Sequence, residues 1–290
     1  MNRDELKRLI QGPIATVPTA FDSDFEVDNG RMYELMQRWV EGGLVKGKAV
    51  IKIAAAMGEG PMLRDDEWPY LLRTVVQAAD DKASIICGLH YKDTKRTIED
   101  AKRAQDLGAI VLQVVPPIFN LPTQDDLLRF FGDLSDAIEI GIMVYVTKSM
   151  YTPIYMDTYR KMADFENVVA IKWGVVVGEY EDIFEMSDRY NIIDNSKGPV
   201  ACHRLGGKGY ITTTADIHPA HELLVWELCE NGQYDEAHAL HQSVEVPLGK
   251  LFGKLSERTG GQGVGKKGMM AVMGRPVGAS RPPSGAMNDE

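Results

Sequence analysis

Three cysteines in 290 residues, Cys87, Cys202 and Cys229, are too few and too far apart for a disulfide framework or a paired metal knuckle. A reducing compartment is therefore the default, and a cytoplasmic location is the expectation. No apolar stretch approaches the roughly 20 residues that cross a bilayer. The first ten residues, MNRDELKRLI, are charged and amphipathic and lack the apolar core of a signal peptide. Cations are also short: 32 Lys and Arg against 42 Asp and Glu give a net charge of −10. That excludes the basic footprint of a nucleic-acid binder and the basic stripe that docks on anionic lipid. The acidic residues and histidines show no metal-ligand spacing, so no metal is expected. Low-complexity linkers are missing too.

What is present is a strand–helix alternation. Short runs rich in Val, Ile and Ala occur at 12–18, 49–55, 84–88, 110–115, 141–146, 168–173, 191–194 and 209–213. Stretches of helical spacing separate them at 31–41, 65–79, 94–107, 124–138, 156–164, 179–189 and 199–205. Eight strands with a helix after each predict an α/β fold, a parallel (β/α)8 TIM barrel. The competing doubly wound sheet lacks its Gly-rich phosphate fingerprint after the first strand. From residue 218 the strands stop. Residues 1–217 are expected to form the barrel. Residues 218–290 are expected to form a C-terminal helical extension with a mobile tail from about 282, where apolar content is too low to order the chain.

Chemistry in such a barrel sits at the C-terminal ends of the strands. That rule gathers Lys172 on the sixth strand, Tyr145 on the fifth, Ala56, Met57, Gly58 and Glu59 after the second, and Ile211 and Thr213 on the eighth. His90 follows the third strand and Phe119 the fourth. Lys172 ends an unbroken apolar run. Either it snorkels to solvent, or burial lowers its pKa and makes the amine a nucleophile toward carbonyls. Lys52 interrupts the apolar second strand and requires a carboxylate partner or a depressed pKa; a structural ion pair and a role in the site both stand. His90 reads equally as an acid–base group or a surface histidine.

These positions carry a resemblance. Tyr145 precedes Lys172 by 27 residues in Val-Tyr-Val-Thr-Lys and Ala-Ile-Lys-Trp settings, and Ala55-Ala56-Met57-Gly58-Glu59 is followed by Leu63 and Glu67. Leu107-Gly108-Ala109, Asn120-Leu121-Pro122, Leu205-Gly206-Gly207-Lys208-Gly209 and Gly278-x-x-Arg281-Pro282-Pro283 complete an ordered set over nearly the whole chain. The chain resembles the dihydrodipicolinate synthase / N-acetylneuraminate lyase family of Schiff-base aldolases. The resemblance implies that Lys172 condenses with a substrate carbonyl to an imine, that Tyr145 shuttles protons, and that no cofactor is needed because the lysine is the electron sink. It also implies a homotetramer, a dimer of dimers.

The departures bear on substrate. Where the family holds a 2-keto acid carboxylate with the hydroxyls of a Gly-Thr-Thr-Gly turn, this chain has Ala56 and Met57. Each hydrogen bond lost to a charged group costs about 1.5–3 kcal/mol. The backbone amides of Met57 and Gly58 remain, so a 2-keto acid is still open. Phe119 replaces a relay tyrosine, which argues against dihydrodipicolinate synthase activity itself. Lys148 is a new cation, placed either to hold an anionic group or in solvent. Glu59 is a substrate contact or a helix-entry carboxylate.

The expectation is therefore a Schiff-base lyase, of aldolase or hydratase/dehydratase type, acting on a small carbonyl or 2-keto acid compound. The alternatives are a deaminase or hydrolase of a cyclic imine or keto acid, and a catalytically silent binding or regulatory barrel.

Overall fold

The computed structural model describes residues 1–90, 92–117, 121–146, 152–259 and 262–284. Phe119, Lys148 and the tail residues 285–290 lie outside them. Eight parallel strands close into a barrel in chain order: β1 (Gly12–Thr16), β2 (Val50–Ile53), β3 (Ser84–Leu89), β4 (Val111–Val114), β5 (Gly141–Tyr145), β6 (Val168–Trp173), β7 (Asn191–Asp194) and β8 (Gly209–Thr212). Barrel closure leaves no edge strand, which is why strands buried on both faces read as unbroken apolar runs.

The helices are α1 (Arg3–Arg8), α2 (Asn29–Glu41), α3 (Glu67–Ala79), α4 (Thr94–Asp106), α5 (Gln124–Ala137), α6 (Met156–Met162), α7 (Pro199–Arg204), α8 (Pro219–Glu230), α9 (Tyr234–Thr259) and α10 (Gln262–Val272). Helix α2 shows the local logic. Asp28 caps it by accepting the Arg31 N–H, and Met32, Leu35, Met36 and Trp39 fall on one buried face at helical spacing. Burying each such side chain contributes about 1.5–3 kcal/mol. Helix α5 is capped reciprocally by Thr123 and Asp126. Helix α8 packs on β1 and α7 and so completes the outer ring. The ring thus runs past the boundary expected at residue 217, and the appended part is α9 and α10.

One expected helix is different. Residues 179–189 hold a 3-10 helix, Glu181–Met186, instead of an α-helix. Gly178, at positive φ, ends the loop before it, and the chain turns again at Ser187 to enter β7. A 3-10 helix rises about 2.0 Å per residue against 1.5 Å for an α-helix, so it spans the same distance with fewer residues.

Inside the barrel the side chains are layered. Ile14, Val50, Ile86, Val111, Met143, Ala170 and Ile193 form an apolar layer, closed at the N-terminal end by Leu6 of α1 and by Ile10. Two residues further along five of these strands, about 6.6 Å higher on the same face, stand Thr16, Lys52, Gln113, Tyr145 and Lys172. The register between β5 and β6 slips by one residue after Ile142: Val168 pairs with Ile142, yet Ala170 pairs with Met143. Val169 and Ala170 both join the interior cluster, whereas Val168 and Ile171 face the outer core. Without this bulge, simple alternation from Val168 would turn Lys172 outward.

The C-terminal segment is clamped to the barrel top. Lys267 reaches Glu59 at 3.0 Å, Ser280 Oγ donates to Glu59 Oε1 at 2.8 Å, and Arg281 pairs with Glu67 and lies over the Phe21 ring at 4.6 Å. Lys266 pairs with Asp216 and donates to the Thr213 carbonyl, both side chains being fully buried. Among the described residues no helix is long and apolar enough to cross a membrane.

Candidate active site

A cavity of about 390 Å³ opens at the C-terminal ends of the strands. Lys172 and Tyr145 meet in it: the Lys172 Nζ sits over the Tyr145 ring, 3.6 Å from its centroid. Part of the Lys172 side chain faces the cavity, but its amine lies deep enough that desolvation pulls the pKa down to about 7, against an ordinary 10.5. A hydrogen bond with Lys52 works in the opposite sense.

Lys52 is 1% exposed and carries no carboxylate among the described residues; its Nζ donates to Gln113 Oε1 at 2.9 Å. The ion pair offered as one reading from sequence is replaced by an amide and a neighbouring amine. Desolvation, then the charge and hydrogen bond of Lys172, hold the Lys52 pKa well below the usual value. The other two buried lysines, Lys266 and Lys267, each have a carboxylate.

His90 is not a surface group. Its Nε2 lies 3.0 Å from the Ala54 carbonyl and so carries the proton there. Burial first, and both lysines after it, lower its pKa to about 4, leaving it neutral near pH 7. It is not among the residues that line the cavity.

The turn after β2 is built from backbone strain. Ala54 and Glu59 both have positive φ, bracketing one 3-10 turn at Ala56–Gly58 and preceding a second at Gly60–Met62. Thr19 Oγ1 fixes it by donating to the Gly58 carbonyl at 2.6 Å. Ala56, Met57, Ile211 and Thr213 line the cavity. Gly58 is buried behind the turn, and the Glu59 carboxylate is occupied by Lys267 and Ser280. That sets Glu59 apart from the cavity, although the sequence had offered it as a substrate contact. A Cβ on Gly60 would stand 1.7 Å from the Ala54 carbonyl oxygen. Gly60→Ala is therefore expected to lower stability by about 1–3 kcal/mol through backbone displacement and to weaken any ligand at the turn. Urea unfolding checks the first effect and a binding titration the second.

Sequence reading missed the opposite wall. The Asp194 carboxylate accepts the N–H groups of Ser196, Lys197 and Gly198 and the Tyr180 hydroxyl, pinning the loop after β7 so that residues 195–197 border the cavity. His241, Gln242 and Glu245 reach it from α9. The Asp-Asn-Ser-Lys-Gly run was an available turn signal. Nothing in the spacing of α9 announces that one of its faces meets the barrel mouth.

The dihydrodipicolinate synthetase family model matches residues 9–290. The chain belongs to that family. It is 29% identical over 285 residues to a 4-hydroxy-tetrahydrodipicolinate synthase of Heliobacterium modesticaldum, covering 96% of this chain and 90% of that one. It is 28% identical over 252 residues to the enzyme of that name from Psychrobacter sp., covering 86% and 82%. Among solved structures it is similar in fold to the dihydrodipicolinate synthase of Acinetobacter baumannii complexed with pyruvate. That match has a TM-score of 0.85 and 23% identity, covering 97% of this chain and 94% of that one. A monomeric dihydrodipicolinate synthase variant is similar at a TM-score of 0.84 and 21% identity, covering 98% and 93%. Within the dihydrodipicolinate synthetase family this chain is a divergent member, and of its polar interior residues Lys52 lies beside the amine of Lys172, Gln113 accepts from Lys52, and Thr16 lines the same cavity.

Proposed function

We propose that the protein is a Schiff-base lyase, of aldolase or hydratase/dehydratase type, that acts on a small carbonyl or 2-keto acid compound through an imine on Lys172. The observation that carries this reading is Lys172 itself: a buried amine brought down to about pH 7, turned into the cavity and seated on the Tyr145 ring. A free amine is the nucleophile; an ammonium is not. Attack on the carbonyl gives a carbinolamine, and loss of water gives an iminium that accepts electrons from the bond to be broken next to it. Tyr145, whose ring lies under the Lys172 amine, carries the hydroxyl proposed to move the protons of those steps. Membership of the family and the fold shared with the pyruvate-complexed synthase support the same chemistry.

The test is borohydride reduction in the presence of candidate carbonyl compounds, followed by intact mass and peptide mapping. An adduct on the Lys172 peptide is expected. Full turnover without any trapped adduct removes the imine mechanism.

The pH dependence has a definite sign. The reactive form is deprotonated, so the initial trapping rate rises with pH and reaches half its plateau near pH 7. An ordinary lysine would give a midpoint above pH 10. A rate series from pH 5.5 to 9.5 measures it.

Assembly as a homotetramer is part of the same proposal. It is supported by apolar side chains left exposed on α8 to α10, among them Leu224, Val246 and Leu251. Sedimentation velocity gives the mass in solution.

A further inference from the structure

Imine formation moves protons at two atoms: the attacking nitrogen loses one and the carbonyl oxygen gains one. Tyr145, on the strand beside β6, meets Lys172 through the face of its ring. Lys52 meets it through a hydrogen bond at the nitrogen that reacts. Strands β2 and β6 lie four places apart around the eight-strand closure, so Lys52 reaches that nitrogen from the opposite side of the barrel. The surroundings of Lys52 suit a neutral amine. It is 1% exposed, and burial first, then Lys172, disfavours its charged form. A free amine has two N–H groups and one electron pair. One N–H goes to Gln113 Oε1 at 2.9 Å, which leaves the electron pair to accept from Lys172. Lys266 and Lys267 are also buried, but each is paired with a carboxylate. Such a partner holds a lysine as the ammonium and takes away its electron pair. Of the two carboxylates that border the cavity, Asp194 is held by its own loop and Glu245 lies on α9; neither acts on Lys52 or Lys172. His90, which feels both amines, is neutral near pH 7.

We propose that Lys52 is a second catalytic residue, a general base whose electron pair takes from the Lys172 nitrogen the proton released when that nitrogen attacks a carbonyl. The proposal rests on the imine at Lys172. Attack forms the C–N bond and moves the C=O electron pair to oxygen, leaving nitrogen positive and oxygen negative. Lys52 takes one N–H proton from the nitrogen and becomes an ammonium. It then releases that proton to the oxygen, which completes the carbinolamine and returns Lys52 to the free amine. A second proton, from Tyr145, lets the hydroxyl leave as water while the nitrogen electron pair closes the C=N bond. The products are an iminium and a tyrosinate, so charge balances. The lack of a carboxylate beside Lys52 is what lets it give the proton back. The amide of Gln113 accepts from the transient ammonium, and Thr16, its register partner, faces the same cavity with a hydroxyl that has no hydrogen-bond partner among the described residues.

The experiment follows imine formation in time. The parent protein, Lys52→Met and Gln113→Glu are each mixed with saturating pyruvate or hydroxyacetone, borohydride is added after set delays, and the adduct on the Lys172 peptide is counted by mass. In Lys52→Met the rate constant should fall by about 100-fold or more, as loss of a positioned base does. The fraction trapped after long delay should stay within about 3-fold of the parent, because a base changes how fast the imine forms and not how much of it forms. The pH midpoint of the rate, near 7 in the parent, should move lower in Lys52→Met, since the lost hydrogen bond is the one that raises the Lys172 pKa. Gln113→Glu keeps both amines and the shape of the cavity but gives Lys52 a carboxylate. Its rate should be reduced at neutral pH and recover as the pH is raised and Lys52 loses its proton. A midpoint that stays or rises in Lys52→Met marks Lys52 as something other than an acceptor and overturns the base. So does a rate equal to that of the parent in Lys52→Met, or at every pH in Gln113→Glu, and so does a parallel loss of rate and final extent in both variants. No adduct on the parent with either compound removes the imine and the base together; an adduct that forms equally fast in all three proteins removes the base alone.

Discussion

Lys172→Met is expected to remove borohydride trapping and to lower kcat/KM by on the order of 10^4-fold or more, as loss of a covalent nucleophile does, while raising the melting temperature. The two effects have one cause. The amine is held in the barrel against its preference for water, and desolvation is the largest influence on it. Methionine matches the length of the chain and carries no group that needs solvation. Exchanging buried charge for apolar packing of similar volume is commonly stabilising by about 1–4 kcal/mol. The gain should depend on pH. In the parent the folded-state pKa is about 7 and the unfolded value is near 10.5, so between them the unfolded chain binds more protons and parent stability rises with pH. The advantage of Lys172→Met is therefore largest below pH 7 and fades toward pH 10.5. Calorimetry of both proteins at pH 6, 8 and 10 measures it; a variant less stable than the parent at pH 6 would contradict the account.

The same substitution at Lys266 should do the opposite. Lys266 and Asp216 are both 0% exposed and paired, and Lys266 also holds the Thr213 carbonyl. Desolvation raises the Asp216 pKa and lowers that of Lys266, so each is charged only because the other is present. Asp216 Oδ2 has no further hydrogen-bond partner among the described residues. Lys266→Met strands a carboxylate in the core, and breaking a buried pair in this way costs about 3–5 kcal/mol. Urea unfolding should show a large fall in midpoint, and Asp216→Asn in the Lys266→Met background should recover part of it, because a neutral amide tolerates burial better than a carboxylate. Two Lys→Met changes of opposite sign in one protein separate a lysine kept for chemistry from one kept for structure.

Much of this architecture could be read from the chain. Strand and helix positions came through because closed-barrel strands are continuous apolar runs and the helices between them are amphipathic, so the two periods do not interfere. What failed to come through has specific causes. Val168 to Ile171 are all apolar, so nothing in them reveals the one-residue slip that turns Lys172 inward. Lys52 stood out as an anomaly, but its partner Gln113 lies on another strand, and counting by twos from Ile14 and Val111 was needed to bring Thr16 and Gln113 to the same level. The strained turn after β2 was legible as a loop; its two positive-φ residues, Ala54 and Glu59, are not glycines and gave no local signal. His241 and Glu245 were invisible as site residues because a helix face does not state what it will meet.

The helix α9 has an evolutionary consequence. Lys172 and the polar residues Thr16, Lys52 and Gln113 belong to the closed sheet, where any change in side-chain volume is transmitted around the whole barrel. The far wall belongs partly to a helix added after the ring is complete, through His241, Gln242 and Glu245. Substitutions there can change the shape and charge of the cavity without disturbing the strand that carries Lys172. The part of the cavity built by the sheet and the part built by the helix can thus change independently, and a lineage can remodel one while keeping the other.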